Sequence, residues 1–219
     1  MNDHLKHKSI IFIAGVSGSG KTTVASALAE ANGWTYLEAD DFHSARNIKK
    51  MSSGAPLTDE DRWPWLKRLK EAISRDCPED GTVIVACSAL KHKYRDFLSF
   101  EGGEYRVHWF LLMGSRELIE SRVRGRAAHF MPAALVSSQL RDFEPARRGE
   151  VELDARQSTE QLMKLVNLSL VDAAGLSIVG PEKYYLRDQE HQSALVKGQA
   201  LQVVLVKGRG RFVPLNHNL

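Results

Sequence analysis

Apolar and polar positions alternate along this chain in blocks that predict strand followed by helix, repeatedly. Ser9-Ile10-Ile11-Phe12-Ile13-Ala14 is a short, continuous apolar run, the signature of a strand buried on both faces. Thr23 to Glu30 then reads as a helix, with Gly33 as its stop. Trp34 to Ala39 predicts a second strand ending at Asp40-Asp41, and Thr82 to Cys87 a third. Between them, Thr58-Asp59-Glu60-Asp61 is a capping box, Pro64 falls in the first turns, and Trp65, Leu66, Leu69, Ala72 and Ile73 share one helix face. Tyr105 to Leu112 predicts a fourth strand, Arg116 to Arg126 and Pro132 to Phe143 two helices, and Val151 to Asp154 a short fifth strand. Leu162, Met163, Leu165, Val166 and Leu168 mark a closing amphipathic helix. Such an order predicts an α/β fold: a mostly parallel five-stranded sheet covered by helices in three layers, with ligands at the carboxyl ends of the strands.

The pattern changes near Asp172. Residues 1–172 are expected to form one domain, with a mobile lid over about 122–145, and 173–219 a C-terminal extension. In the extension, Leu201 to Val206, Gly208-Arg209-Gly210 and Phe212-Val213 predict a β-hairpin.

The join between the first strand and the first helix carries the chemistry. Gly15-Val16-Ser17-Gly18-Ser19-Gly20-Lys21-Thr22 is a complete G-x-x-x-x-G-K-T phosphate loop in the required strand–loop–helix context. Its glycines let successive N–H groups turn inward toward phosphate oxygens, and the helix N-terminus adds partial positive charge. Lys21 reaches the outer phosphates, Thr22 offers a hydroxyl to Mg²⁺, and the nucleotide-binding set extends to Thr23. A nucleoside triphosphate is the expected ligand, and ATP with Mg²⁺ the expected cofactors.

Composition narrows the class. The 219 residues hold 30 basic and 27 acidic side chains, a net charge of +3 that gives no argument for nucleic acid. Arginines crowd one third of the chain, from Arg116 to Arg148, which suits small anionic ligands. Two cysteines without metal spacing predict a reduced compartment, and no apolar stretch is long enough for a signal or membrane helix, so a soluble, cytoplasmic protein is expected. A GTPase should carry N-K-x-D, which is absent; Asp172-Ala173-Ala174-Gly175 matches D-x-x-G but comes too late in the chain. A motor ATPase needs more chain and usually a strand ending in Asp, whereas the third strand runs into Ser88-Ala89-Leu90-Lys91. A compact kinase whose lid excludes water remains.

Beyond the phosphate loop, the chain resembles the gluconokinases, relatives of shikimate kinase that phosphorylate D-gluconate. The resemblance rests on Asp40-Asp41-Phe42-His43 with Asn47 and Lys50-Met51, Gly54 to Arg62, Pro64-Trp65-Leu66, Cys87-Ser88-Ala89-Leu90-Lys91 and Tyr94-Arg95-Asp96. His129-Phe130-Met131, Ser138-Gln139 and Glu144-Pro145 complete it, from about Ile10 to Leu170. It implies Mg²⁺-dependent, in-line transfer from ATP to gluconate, giving 6-phospho-D-gluconate, as in gluconate utilisation. Other sugar acids, a shikimate-like polyol, or an impaired nucleotide-binding module are the alternatives.

By the same resemblance, Asp40 orients or deprotonates the acceptor hydroxyl and shares Mg²⁺ with Thr22, while Lys21, Arg122 and Arg126 stabilise the transferring phosphate. His43, Asn47, Lys50, Arg62, Lys91, Arg95, His129 and Gln139 are the implied substrate contacts, with Arg62 and Arg95 expected to take the carboxylate. Similar kinases are often homodimers, so self-association is expected, with no nucleic-acid or membrane partner. The chain departs from the family pattern at Ala128, where Gly is usual, at Glu38 (Asp), at Ser44 (Pro) and at Leu140 (Phe).

Overall fold

In the computed structural model, residues 8–79, 81–100, 102–125, 134–173, 192–196, 199–206 and 209–214 are described. Five strands form the body of the sheet: β1 (Lys8–Ala14), β2 (Thr35–Glu38), β3 (Thr82–Cys87), β4 (Tyr105–Met113) and β5 (Glu150–Asp154). They run parallel in the order β2-β3-β1-β4-β5, so chain direction reverses its outward growth at β1, and a crevice opens beyond its carboxyl end.

The strand sequences dictate the layers. Because side chains alternate with period two, Ile10, Phe12, Val83, Val85, Trp109 and Leu111 face one side. There they pack against Trp65, Leu66, Leu69 and Ile73 of α3 (Asp59–Asp76) and Tyr94 and Leu98 of α4 (His92–Leu98), after α1 (Lys21–Asn32) and α2 (Ala45–Ser52) in chain order. Ile11, Ile13, Ile84, Ala86, Phe110 and Leu112 face the other side. Their partners are Val24, Ala25 and Leu28 of α1 and Leu162, Leu165 and Val166 of α7 (Thr159–Ala173). Phe12 and Trp109 stack at 4.0 Å between neighbouring strands. Strands β1 and β3 are apolar at nearly every position because both of their faces are covered.

The predicted capping box opens α3: the Thr58 N–H donates to Asp61 Oδ2 at 3.0 Å, and Pro64 lies inside the helix, where its missing N–H leaves the Glu60 carbonyl without its i+4 donor. Two helices lack a counterpart in the sequence expectations, α2 and α4. Each is a turn or two long, and their few apolar positions are interrupted by basic residues. A 3-10 turn, Ala39–Phe42, follows β2. Helices α5 (Arg116–Arg124) and α6 (Ala134–Asp142) lie over the carboxyl end of the sheet. Beyond α7, β6 (Gln192–Val196), β7 (Gln199–Val206) and β8 (Arg209–Pro214) form an antiparallel meander, and β8 pairs with β5 at Glu152 and Arg211.

Candidate active site

The phosphate loop folds as its glycines require. Gly15 has φ 141°, and a Cβ there would lie 2.7 Å from the Leu112 carbonyl oxygen on β4. Gly18 has φ 84°, and a Cβ there would lie 2.6 Å from Val123 Cγ2 on α5. The loop is therefore pressed between β4 and α5, with no room for side chains at these two turns. Val16 is buried, and so is the Ser19 hydroxyl, which finds no hydrogen-bond partner. Thr23 is exposed on α1. Lys21 Nζ folds back to donate to the Val16 carbonyl at 3.1 Å.

An open cleft begins at this loop and runs toward α3 and α6. Ser17, Gly18, Gly20, Lys21 and Thr22 line one half, with Gln139 beside Ser17; Asp40, His43 and Arg62 reach the other. Four separate segments of the implied site thus meet in one cavity.

Asp40 is placed by the tight 3-10 turn after β2, where its carbonyl accepts the His43 N–H at 3.2 Å. Its Oδ1 lies 3.9 Å from His43 Nε2. His43 stacks on Trp65 at 4.3 Å, its side chain 4% exposed, and its Nδ1 is buried without a hydrogen-bond partner. Burial first, and then the neighbouring charges of Arg68 and Arg62, push its pKa down to about 4. This imidazole is neutral at physiological pH.

Arg62, on the first turn of α3, is buried at the far end of the cleft. Its Nη1 donates to Tyr94 Oη at 3.0 Å, and Nη1 and Nη2 approach Asp142 Oδ2 at 3.3 and 3.4 Å. Gln139 Oε1 accepts the Ser17 N–H at 2.7 Å, joining α6 directly to the phosphate loop.

Other expected contacts are directed elsewhere. Arg95 does not reach the cleft: it is 0% exposed, and its guanidinium donates to Glu150 Oε1 and to the carbonyls of Ala89, Leu90, Glu144 and Pro145. No donor of this group is turned toward the cavity, and the expectation that it grips a substrate carboxylate is corrected accordingly. Asn47 is buried and ties α2 to α3 through the Asp61 carbonyl at 2.9 Å; Lys50 pairs with the Asp61 carboxylate, and Lys91 with Asp59 at 3.3 Å. None of these three lines the cavity. Arg122 donates to the Ser19 carbonyl at 3.1 Å and the Ala155 carbonyl at 2.7 Å, bracing the loop from behind. Arg126, Ala128 and His129 lie outside the described residues.

Cleft residues outside the expected contacts include Glu38, Ser88 and Leu90. Glu38 Oε2 accepts from Thr22 Oγ1 and Tyr36 Oη, both at 2.8 Å, and burial together with that carboxylate raises the Tyr36 phenol's pKa. Ser88 and Leu90 follow β3, where the carboxyl end of a parallel strand is the place to look. Between them Ala89 adopts φ 34°, a left-handed conformation held by the hydrogen bond from Arg95 to its carbonyl.

The geometry has parallels in known proteins. The model of the AAA domain family matches residues 10–146. A thermosensitive gluconokinase of Escherichia coli is 41% identical over 161 residues, spanning 70% of this chain and 85% of that protein. Among solved structures, a gluconokinase from Sinorhizobium meliloti is 38% identical with a TM-score of 0.67, covering 77% of this chain and 94% of its own. An unliganded sugar kinase from Janibacter sp. is 44% identical with a TM-score of 0.68, covering 77% of this chain and 96% of its own.

Proposed function

The chain belongs to the gluconokinases, within the AAA domain family, and from that membership we propose how its cleft carries out ATP-dependent phosphorylation of D-gluconate. One observation supports the reading above others: Lys21 and Thr22 share a single cavity with Asp40, His43 and Arg62. A nucleotide held by the loop amides would bring its γ-phosphorus beside a carboxylate, with a buried cation further along. In this reading a polyhydroxy acid lies with its terminal hydroxyl toward Asp40 and its carboxylate toward Arg62.

In this reading Asp40 accepts the proton of the gluconate 6-hydroxyl as that oxygen attacks the γ-phosphorus. The bond from the γ-phosphorus to the β–γ bridging oxygen breaks, and ADP leaves with that oxygen. Lys21 moves off the Val16 carbonyl to neutralise the outer phosphates. Arg122 keeps the loop in shape through the Ser19 carbonyl, a bracing role in place of a direct clamp. The neutral His43, on the cleft wall, offers a sugar hydroxyl a hydrogen-bond donor or acceptor according to its tautomer.

Mg²⁺ fits the donor set. Thr22 and Asp40 offer hard oxygens at the loop, Glu38 already holds the Thr22 hydroxyl, and Mg²⁺ asks few ligands of the protein. When bound it would neutralise charge on the β- and γ-phosphates. Thr22 and Asp40 would hold it.

Asp40→Asn should lower kcat on gluconate by about 10²-fold or more, with ATP still bound through the loop amides. Lys21→Ala should abolish transfer by weakening the hold on the outer phosphates. Steady-state kinetics alongside calorimetric ATP titration checks both. Near-parental turnover in Asp40→Asn would remove that residue from the chemistry.

A further inference from the structure

Helix α6 places an oxygen group on a donor in each half of the cleft. Gln139 takes the Ser17 N–H at 2.7 Å, a donor of the phosphate loop. Three residues later, on the same helix face, Asp142 lies against both terminal nitrogens of Arg62 at 3.3 and 3.4 Å. The second contact is a carboxylate facing a guanidinium, the pairing that a sugar acid would itself make. Arg62 is buried and Asp142 is 34% exposed, so the carboxylate has solvent to turn into while the guanidinium has nowhere to go.

We propose that Asp142 is an affinity- and specificity-setting residue: an internal carboxylate that holds Arg62 in the absence of substrate and must be exchanged for the carboxylate of the incoming acid. The inference rests on the reading of Arg62 as the acid's anchor. Its physical content is a competition. Each acid molecule that binds replaces one ion pair by another, so the net gain is the difference between the two. Tyr94 Oη stays on Arg62 Nη1 throughout, which keeps the guanidinium oriented while its carboxylate partner changes. A carboxylate there only to aim Arg62 would have the opposite effect on binding, since its removal would loosen the anchor.

The test is Asp142→Asn, nearly the same shape without the charge, with D-gluconate and the neutral hexitol D-glucitol titrated calorimetrically into the full chain without nucleotide. Asp142→Glu serves as the charge-conserving control, and circular dichroism confirms folding of each variant. Gluconate should bind Asp142→Asn about fivefold tighter than the parent. Glucitol affinity and the KM for ATP should stay within about twofold, and Asp142→Glu should remain near the parent. Weaker or unchanged gluconate binding in Asp142→Asn overturns the exchange and makes Asp142 an orienting residue. Equal tightening of glucitol also overturns it, because an uncharged ligand has no carboxylate to exchange. Failure of the parent protein to take gluconate sinks the functional reading together with this one. Binding by the parent without tightening in the variant sinks this one alone.

Discussion

His43 is held between the ring of Trp65 and the carboxylate of Asp40, with Arg62 and Arg68 adding positive charge nearby. Its pKa falls from 6.5 to about 4 on folding. Between those values the unfolded chain binds a proton that the folded one refuses, so stability is full above about pH 6.5 and declines as pH falls toward 4. The loss from this group is about 3 kcal/mol at the bottom of the window. Urea unfolding at pH 7 and pH 4.5 should show that decline in the parent and a smaller one in His43→Asn. A parent whose stability does not change over that range would place His43 in a far more solvated setting. The residues most legible from sequence were those whose role depends on spacing along the chain, Lys21 and Thr22 among them. His43 was legible as a contact and illegible as a neutral one, because its burial comes from Trp65, far off in sequence. Arg95 shows the reverse problem: a lone arginine in a motif reads as a ligand contact, and only the fold reveals four carbonyls and Glu150 around it.

Among the elements, the segment after β3 and the segment after α6 behave as one piece. The Glu144 N–H donates to the Leu90 carbonyl at 2.8 Å, the His92 N–H to the Glu144 carboxylate, and Arg95 reaches both segments. Glu150 at the start of β5 neutralises Arg95 and also takes Arg147. Removing Arg95 leaves Glu150 with Arg147 alone and takes a donor from several buried carbonyls, at about 3–5 kcal/mol. Arg95→Met should therefore unfold at clearly lower urea concentration than the parent, with Arg95→Lys in between. If Arg95→Met kept the parental unfolding midpoint and raised only the KM for gluconate, the arginine would be a substrate contact after all. The long elements were readable because β1, β3 and β4 are apolar on both faces and α3 carries a capping box and a regular face. Helices α2 and α4 were not. Their hydrophobic positions are too few to set a period, and what fixes them is contact: Met51 with Leu57 and Leu135, and Tyr94 with the core beneath β3.

On the scale of the whole molecule, the strand order β2-β3-β1-β4-β5 gathers the carboxyl ends of β1, β2 and β3 beside one another. The phosphate loop, Asp40 and Ser88 therefore come within one cleft although more than sixty residues separate the first from the last. A parallel sheet with its site at the carboxyl ends followed from the alternation of strands and helices, since right-handed crossovers leave few alternatives, whereas the strand order came from the fold alone. A lid over about 122–145 was expected, but the contacts by which α6 meets the cleft were not, because they depend on single side chains, Gln139 and Asp142, meeting donors on distant segments. Among the described residues, no helix is long and apolar enough to cross a membrane. In the proposed function this cleft serves a sugar acid. The most direct test is an ATP-consumption assay coupled to ADP release, run on the purified full chain with D-gluconate, shikimate and D-glucitol. On gluconate, kcat/KM should exceed both others by about 10²-fold or more. ATP binding with no turnover on gluconate, or a preference for shikimate or the neutral hexitol, would contradict it.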